Sequence, residues 1–234
     1  MTRIVCLANS WKRGERCIAG IDVVTGRWIR PVTNSADGSV PRHVRAVRKG
    51  EVALLDLVDL PLAATGPDFG FECENRLILP GRWYVSGRAR IEELRRYLLP
   101  GQPILHTTTQ AVTVAFMQSL PAEERRTLQL VEATDFTVAV STRRHSDQHV
   151  WRGSFTATTG ERFETNITDP VFSARLDAGL LPSSHCFLTI SLSLPWRPTD
   201  RPNDAEACWK LIAGVIELDS QQALSPAELA AVPF

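Results

Sequence analysis

No apolar run in these 234 residues approaches the ~18 that a membrane-spanning helix needs. The short apolar stretch after Met1-Thr2-Arg3 lacks the length and cleavage pattern of a signal peptide. Cysteine is sparse: five residues, an odd number, form no CxxC pair, and several sit inside apolar runs where a free thiol behaves as a small hydrophobe. These absences point to a reducing cytoplasm and to no membrane partner. Glycine-rich phosphate loops of the P-loop or dinucleotide type are missing too, which excludes nucleotide hydrolysis by Walker chemistry. Net charge is absent, with 26 Lys plus Arg against 26 Asp plus Glu, so bulk attraction to nucleic acid has no source. Only three lysines accompany 23 arginines, a ratio that a GC-rich genome explains more simply than bidentate recognition of phosphates or base edges.

What remains is the composition of an ordinary globular protein, 44% hydrophobic and 22% charged. The charge is unevenly placed. Residues 1–50 carry ten basic and three acidic side chains, a +7 segment balanced by the rest of the chain. Ile4–Ala8 and Cys17–Val24 read as strands on either side of a polar loop over 9–15, and Thr25-Gly26-Arg27 turns the second into Trp28–Val32. Ala53–Leu62 reads as a core strand, and Arg90–Leu99 as a helix stopped by Pro100-Gly101. Farther on, Ala111–Phe116 and Thr127–Val140 suggest strands, and Val150–Thr158 with Arg162–Thr168 a hairpin. Asp169-Pro170 caps a short helix closed by Gly179. His185–Leu194 alternates like a half-buried strand, Trp209–Leu218 is a last strand, and Ser225-Pro226-Ala227-Glu228 is a capping box for a terminal helix. Some ten short strands without crossover helices predict a mainly β fold and exclude a parallel α/β one.

Several stretches carry a resemblance. They are Val5–Ser10, Arg16–Gly20, Gly26–Val32, Leu54–Leu62 with Cys73–Ile78, Asn166–Pro170, and Leu188–Leu192 with Trp209–Ala213. Together they resemble the bacterial family of dual OB-containing domain proteins over most of the chain. The resemblance implies two OB-like β-barrels with a few short helices, expected here over 1–105 and 106–234. It also implies an association with prokaryotic conflict or antiphage loci, and brings no catalytic residues with it. The Pro195–Cys208 loop departs from the family by its greater length.

OB barrels hold single strands by stacking bases on aromatic rings and placing cations on the backbone. The strongest candidate for such a surface is Asn9-Ser10-Trp11-Lys12-Arg13 with Arg16, Trp28 and Arg30. Against it, Trp28 alternates with Ile29 in a pattern that suits a core, and Asn-Ser after a strand is ordinary turn chemistry. Asn75, in Glu74-Asn75-Arg76 beside Phe69 and Phe71, is a candidate reader of an adenine edge, and Lys210 either reaches the same groove or faces solvent. His145 and His149 share metal-ligand spacing but sit in what reads as a hairpin tip. Cys17 with His43, or Cys186 with His185, has no ordering motif for thiol catalysis. The expectation is therefore a non-enzymatic module without cofactor or metal that binds single-stranded RNA or DNA. Two alternatives stand beside it: a PUA-like reader of a modified base or free nucleotide, and a subunit that meets other defence-system proteins.

Overall fold

The structure, a computed structural model, describes residues 1–48, 50–142, 149–197 and 204–218. An apolar run without alternation is the pattern of a strand covered on both faces. Ile4–Ala8 lies in such a strand, β1 (Thr2–Lys12), which is buried from Ile4 to Ser10. It returns as β2 (Glu15–Asp22) through the two-residue turn Arg13-Gly14, with φ of 48° and 85°. Positive φ at both central residues is the type I′ turn, whose twist matches that of the flanking strands. The polar loop expected over 9–15 is thus mostly strand: Asn9 and Ser10 stay in the ladder opposite Ile18 and Cys17.

β3 (Trp28–Val32) completes the meander. A helical turn, α1 (Arg42–Arg45), and a small hairpin, β4 (Ala46–Val47) with β5 (Gly50–Glu51), follow. β6 (Asp56–Leu60) then pairs with the other edge of β1, and β7 (Asn75–Leu77) runs parallel to β3. The ring β1-β2-β3-β7-β6 closes where Leu62 and Ile78 bridge, with the N–H groups of Ala63 and Leu79 donated to the carbonyls of Leu77 and Pro61. β8 (Tyr84–Arg88) flanks β6, and Ile4, Cys6, Ile18, Val58 and Trp83 fill the interior.

Two 3₁₀ segments, Ile91–Tyr97 and Ile104–His106, lead to β9 (Ala111–Thr113) and α2 (Val114–Ser119). The helix expected over 90–99 is therefore 3₁₀. The strand expected through Phe116 stops at Thr113, because the Thr113 hydroxyl accepts the Phe116 N–H and caps α2. β10 (Leu128–Ala133) and β11 (Thr137–Thr142) are two arms of one bent strand, followed by β12 (His149–Thr156), β13 (Arg162–Asn166), α3 (Pro170–Asp177), β14 (Cys186–Leu192) and β15 (Ala207–Glu217). Asp169 accepts the N–H groups of Val171 and Phe172, the N-cap read from the sequence. β13 meets β15 in parallel at Ile167 and Ile212, β14 pairs with β15, and β10 with β14. The ring of the first half is thereby repeated, with α3 between its third and fourth strands. The chain is mainly β and builds two OB-like barrels.

All seven residues of β14 are buried, where a half-buried strand was expected. Cys186, Leu188 and Ile190 face the second core, while Phe187 packs on the first barrel. The junction joins Val5, Leu7 and Ile21 to Leu130, Phe187 and Ile216, and Ala8 and Ala19 to Leu128 and Ala213. The β1–β2 surface that a lone barrel offers to solvent is covered by its neighbour. The capping box at Ser225–Glu228 lies outside the described residues, and no helix among the described residues is long and apolar enough to cross a membrane.

Candidate nucleic-acid interface

OB barrels bind oligonucleotides through the loop between their first two strands and the loop between their last two. Here Arg13, in the first barrel's turn, and Ser193–Trp196, which follow β14 in the second, line the same edge of the junction. Trp11 donates its backbone N–H to the Thr168 carbonyl at 2.8 Å, so the two barrels are tied where these loops meet. Between them opens a cleft of about 410 Å³, walled by Ser10–Arg13 on one side and by Leu192–Trp196 and Trp209 on the other.

Three tryptophans surround it. Trp11, Trp196 and Trp209 are 52%, 51% and 42% exposed, although burying such rings is normally the larger gain. The β14–β15 hairpin continues beyond β14, with Trp196 and Ala207 exchanging backbone hydrogen bonds and the Ser193 hydroxyl accepting the Trp209 N–H. That pairing sets the Trp196 and Trp209 ring centroids 6.4 Å apart. Across the cleft, the Arg16 guanidinium lies 3.9 Å from the Trp11 centroid and covers one ring face, leaving the other for a ligand. Burial lowers the pKa of Arg16, and Glu51, 3.7 Å away, counters that effect. Lys12 and Arg13 line the rim, and no Asp or Glu is among the described residues of the lining. Such a site suits flat, anionic molecules.

Ser10, Trp11, Lys12, Arg13 and Arg16 are therefore brought together. Five other expected residues have different roles. Asn9 is buried and donates from Nδ2 to the Val52 carbonyl at 2.7 Å, because β1 carries it into the first barrel's interior. Trp28 packs on the junction, the core role that its alternation allowed. Arg30 and Asn75 are each only 1% exposed. Arg30 reaches the base of the cleft, yet its Nη1 lies 3.1 Å from the Glu72 carboxylate and donates to Asn75 Oδ1, while Nη2 donates to the Thr127 hydroxyl. Burial opposes its charge, but Glu72, Cys17 and Glu74 offset this and raise its pKa above the ordinary arginine value. Glu74 accepts both the N–H and the hydroxyl of Thr127, so this cluster fastens the first barrel to the second. Asn75 Nδ2 donates to Glu72 and to the Pro67 carbonyl, which leaves no amide group for a base.

Lys210 shares the parity of Cys208 and Ile212 on β15 and is buried with them, neither in the groove nor facing solvent. Its Nζ donates to the Thr107 carbonyl at 2.5 Å and sits 4.9 Å from the Phe163 ring centroid. Desolvation pushes its pKa down from 10.5 to about 8. Between these pH values the unfolded chain holds a proton that the folded chain has lost, so this group makes stability rise with pH across that window. Lys210→Met is expected to flatten that rise in denaturant titrations at pH 7.5 and 10. Identical gains in both proteins would contradict the assignment.

His149 lies 3.4 Å from Asp177, while His145 to Gln148 lie outside the described residues. Burial pushes the Cys208 thiol up to about 12 and raises that of Cys6 as well, so both stay protonated at neutral pH. Trp196 and Trp209 escaped the sequence reading. Their signal was parity for Trp209, out of phase with Cys208 and Ile212, and for Trp196 its place in a Pro- and Asp-containing loop.

Two closed five-stranded rings, each with a parallel third and fifth strand, define a tandem OB-fold protein. The chain belongs to the dual OB-containing domain family, whose model matches residues 2–215. Searches of the curated proteins and of the solved structures find no match.

Proposed function

We propose that this protein is a non-enzymatic module that binds single-stranded nucleic acid in the cleft between its barrels, in the cytoplasm of a bacterium and as part of a defence or conflict system. The observation that carries the binding reading is the set of three exposed tryptophans around one cleft whose lining, among the described residues, holds no carboxylate. Stacking contributes about 1–3 kcal/mol per base and tolerates any base, but it requires bases that a duplex keeps stacked on each other. The defence setting and the bacterial cytoplasm rest on the family resemblance and on the reduced cysteines alone.

Cations at the rim are few. With Lys12 and Arg13 each neutralising one phosphate, log K is expected to fall with log salt at a slope of about −1.4. Fluorescence anisotropy of a labelled single strand across a salt series checks this. The Lys12→Ala, Arg13→Asn double variant keeps an Asn-Gly type I′ turn and is expected to bind with a slope near zero. A steep slope that survives in the double variant would place the backbone contacts elsewhere. The cleft volume also falls in the range of small-molecule pockets, which favours a free nucleotide as the second reading. That reading predicts that a mononucleotide competes as well as an oligonucleotide does. Absence of any nucleic-acid binding by the isolated chain would leave the protein-partner reading.

A further inference from the structure

We propose that Cys17 is a modification site: its thiol, in the wall of the cleft, exchanges with small disulfides that carry carboxylates, and the mixed disulfide shuts the cleft to single strands. The closure rests on the cleft binding strands; the exchange does not. Four of the five cysteines are poorly placed for such chemistry. Cys6, Cys186 and Cys208 are 0% exposed, and the first two donate their thiols to the carbonyls of Ala8 and Ser183. Cys73 is half-buried, but burial and the neighbouring Glu74 push its thiol up. Cys17 is half-buried, carries no disulfide and lines the cleft.

Cys17 stands opposite Ser10 in the β1–β2 ladder, and with Asn9 turned into the barrel interior both side chains face the cleft. Two donors there lack partners. Ser10 is only 5% exposed, yet its hydroxyl makes no hydrogen bond among the described residues. Arg30 is more deeply buried still, and its Nε makes none, although Cys17 lies near enough to support the guanidinium charge. A thiol exchanges as its thiolate, and these donors are what a negative sulfur in this wall requires. An incoming disulfide meets Lys12 and Arg13 at the rim and, among the described residues of the lining, no Asp or Glu, so carboxylates on it are drawn in. The Cys17 thiolate attacks one sulfur and the S–S bond breaks. The departing thiolate takes up the proton that Cys17 gave, and the half left on Cys17 fills the space a stacked base needs.

The test exposes the whole reduced protein to oxidised glutathione or to cystamine, a cationic disulfide, and follows adducts by intact mass and peptide mapping. One glutathione is expected on Cys17 and none on the Cys17→Ser variant. Relative to their rates with the same residue in the urea-unfolded chain, oxidised glutathione is expected to outrun cystamine by about tenfold. The Lys12→Ala, Arg13→Asn variant is expected to lose that preference. By anisotropy, glutathione on Cys17 is expected to weaken binding of a labelled single strand at least about tenfold, with recovery in dithiothreitol. Cys17→Ser is expected to bind the strand alike with and without oxidised glutathione. Reaction at Cys73 ahead of Cys17, or equal relative rates for the two disulfides, overturns the modification site. Undiminished strand binding by the modified protein overturns the closure. Wild type that takes up glutathione on Cys17 but binds no strand overturns the strand reading and leaves the modification site standing.

Discussion

Arg30→Met is expected to destabilise the fold by about 3–5 kcal/mol, the cost of removing one partner from a buried charge pair. Its guanidinium is the cation between the buried carboxylates of Glu72 and Glu74. The loss reaches across the molecule, because Thr127, which joins Glu74 and Arg30, opens the second barrel. Without Arg30 a carboxylate at this depth is forced toward its neutral form. A carboxyl whose folded pKa is raised contributes stability at low pH that disappears as pH rises through that value. The defect is therefore expected to be larger at pH 8 than at pH 5 in urea titrations, and Glu72→Gln added to Arg30→Met to restore part of it. A variant as stable as wild type at both pH values would mean that Arg30 does not hold the barrels together.

Gly214→Ala is expected to cost about 3 kcal/mol or more, at the upper end of core overpacking. A Cβ at Gly214 would lie 2.3 Å from the Leu7 carbonyl oxygen of the facing barrel. That carbonyl belongs to a bulge: the β1–β2 register passes from Cys6 to Ala8 and skips Leu7. The Thr189 hydroxyl, from the strand beside Gly214, donates to the Leu7 carbonyl at 2.6 Å. An added methyl would therefore both part the β1 and β15 backbones and break the bond that satisfies a buried oxygen. Differential scanning calorimetry should show a markedly lower Tm for Gly214→Ala. A Tm within a degree or two of wild type, at roughly 2–4 °C per kcal/mol for a chain of this size, would contradict so close an approach.

The barrels were legible where periodicity and caps act locally. Ile4–Ala8 lacked alternation because it lies between two cores, and Asp169-Pro170 announced α3 by chemistry that needs no tertiary context. The junction was not legible, because it depends on which face of one barrel meets the other. Arg30 reads alike on a binding face and under a neighbouring barrel, and only the partners Glu72, Glu74 and Thr127, distant in sequence, decide. Lys210 was decidable, since the parity it shares with Cys208 and Ile212 places it inside. Half of the cleft was visible in Trp11-Lys12-Arg13, and the other half comes from a hairpin some 185 residues further along the chain.

The most direct test of the cleft is a titration of a labelled single strand against wild type and a Trp11→Ala, Trp196→Ala, Trp209→Ala triple variant. All three rings are exposed, so the variant is expected to melt close to wild type. Loss of two stacked bases should weaken its binding at least about thirtyfold. A folded triple variant that binds the strand as tightly as wild type would show that the ligand lies elsewhere.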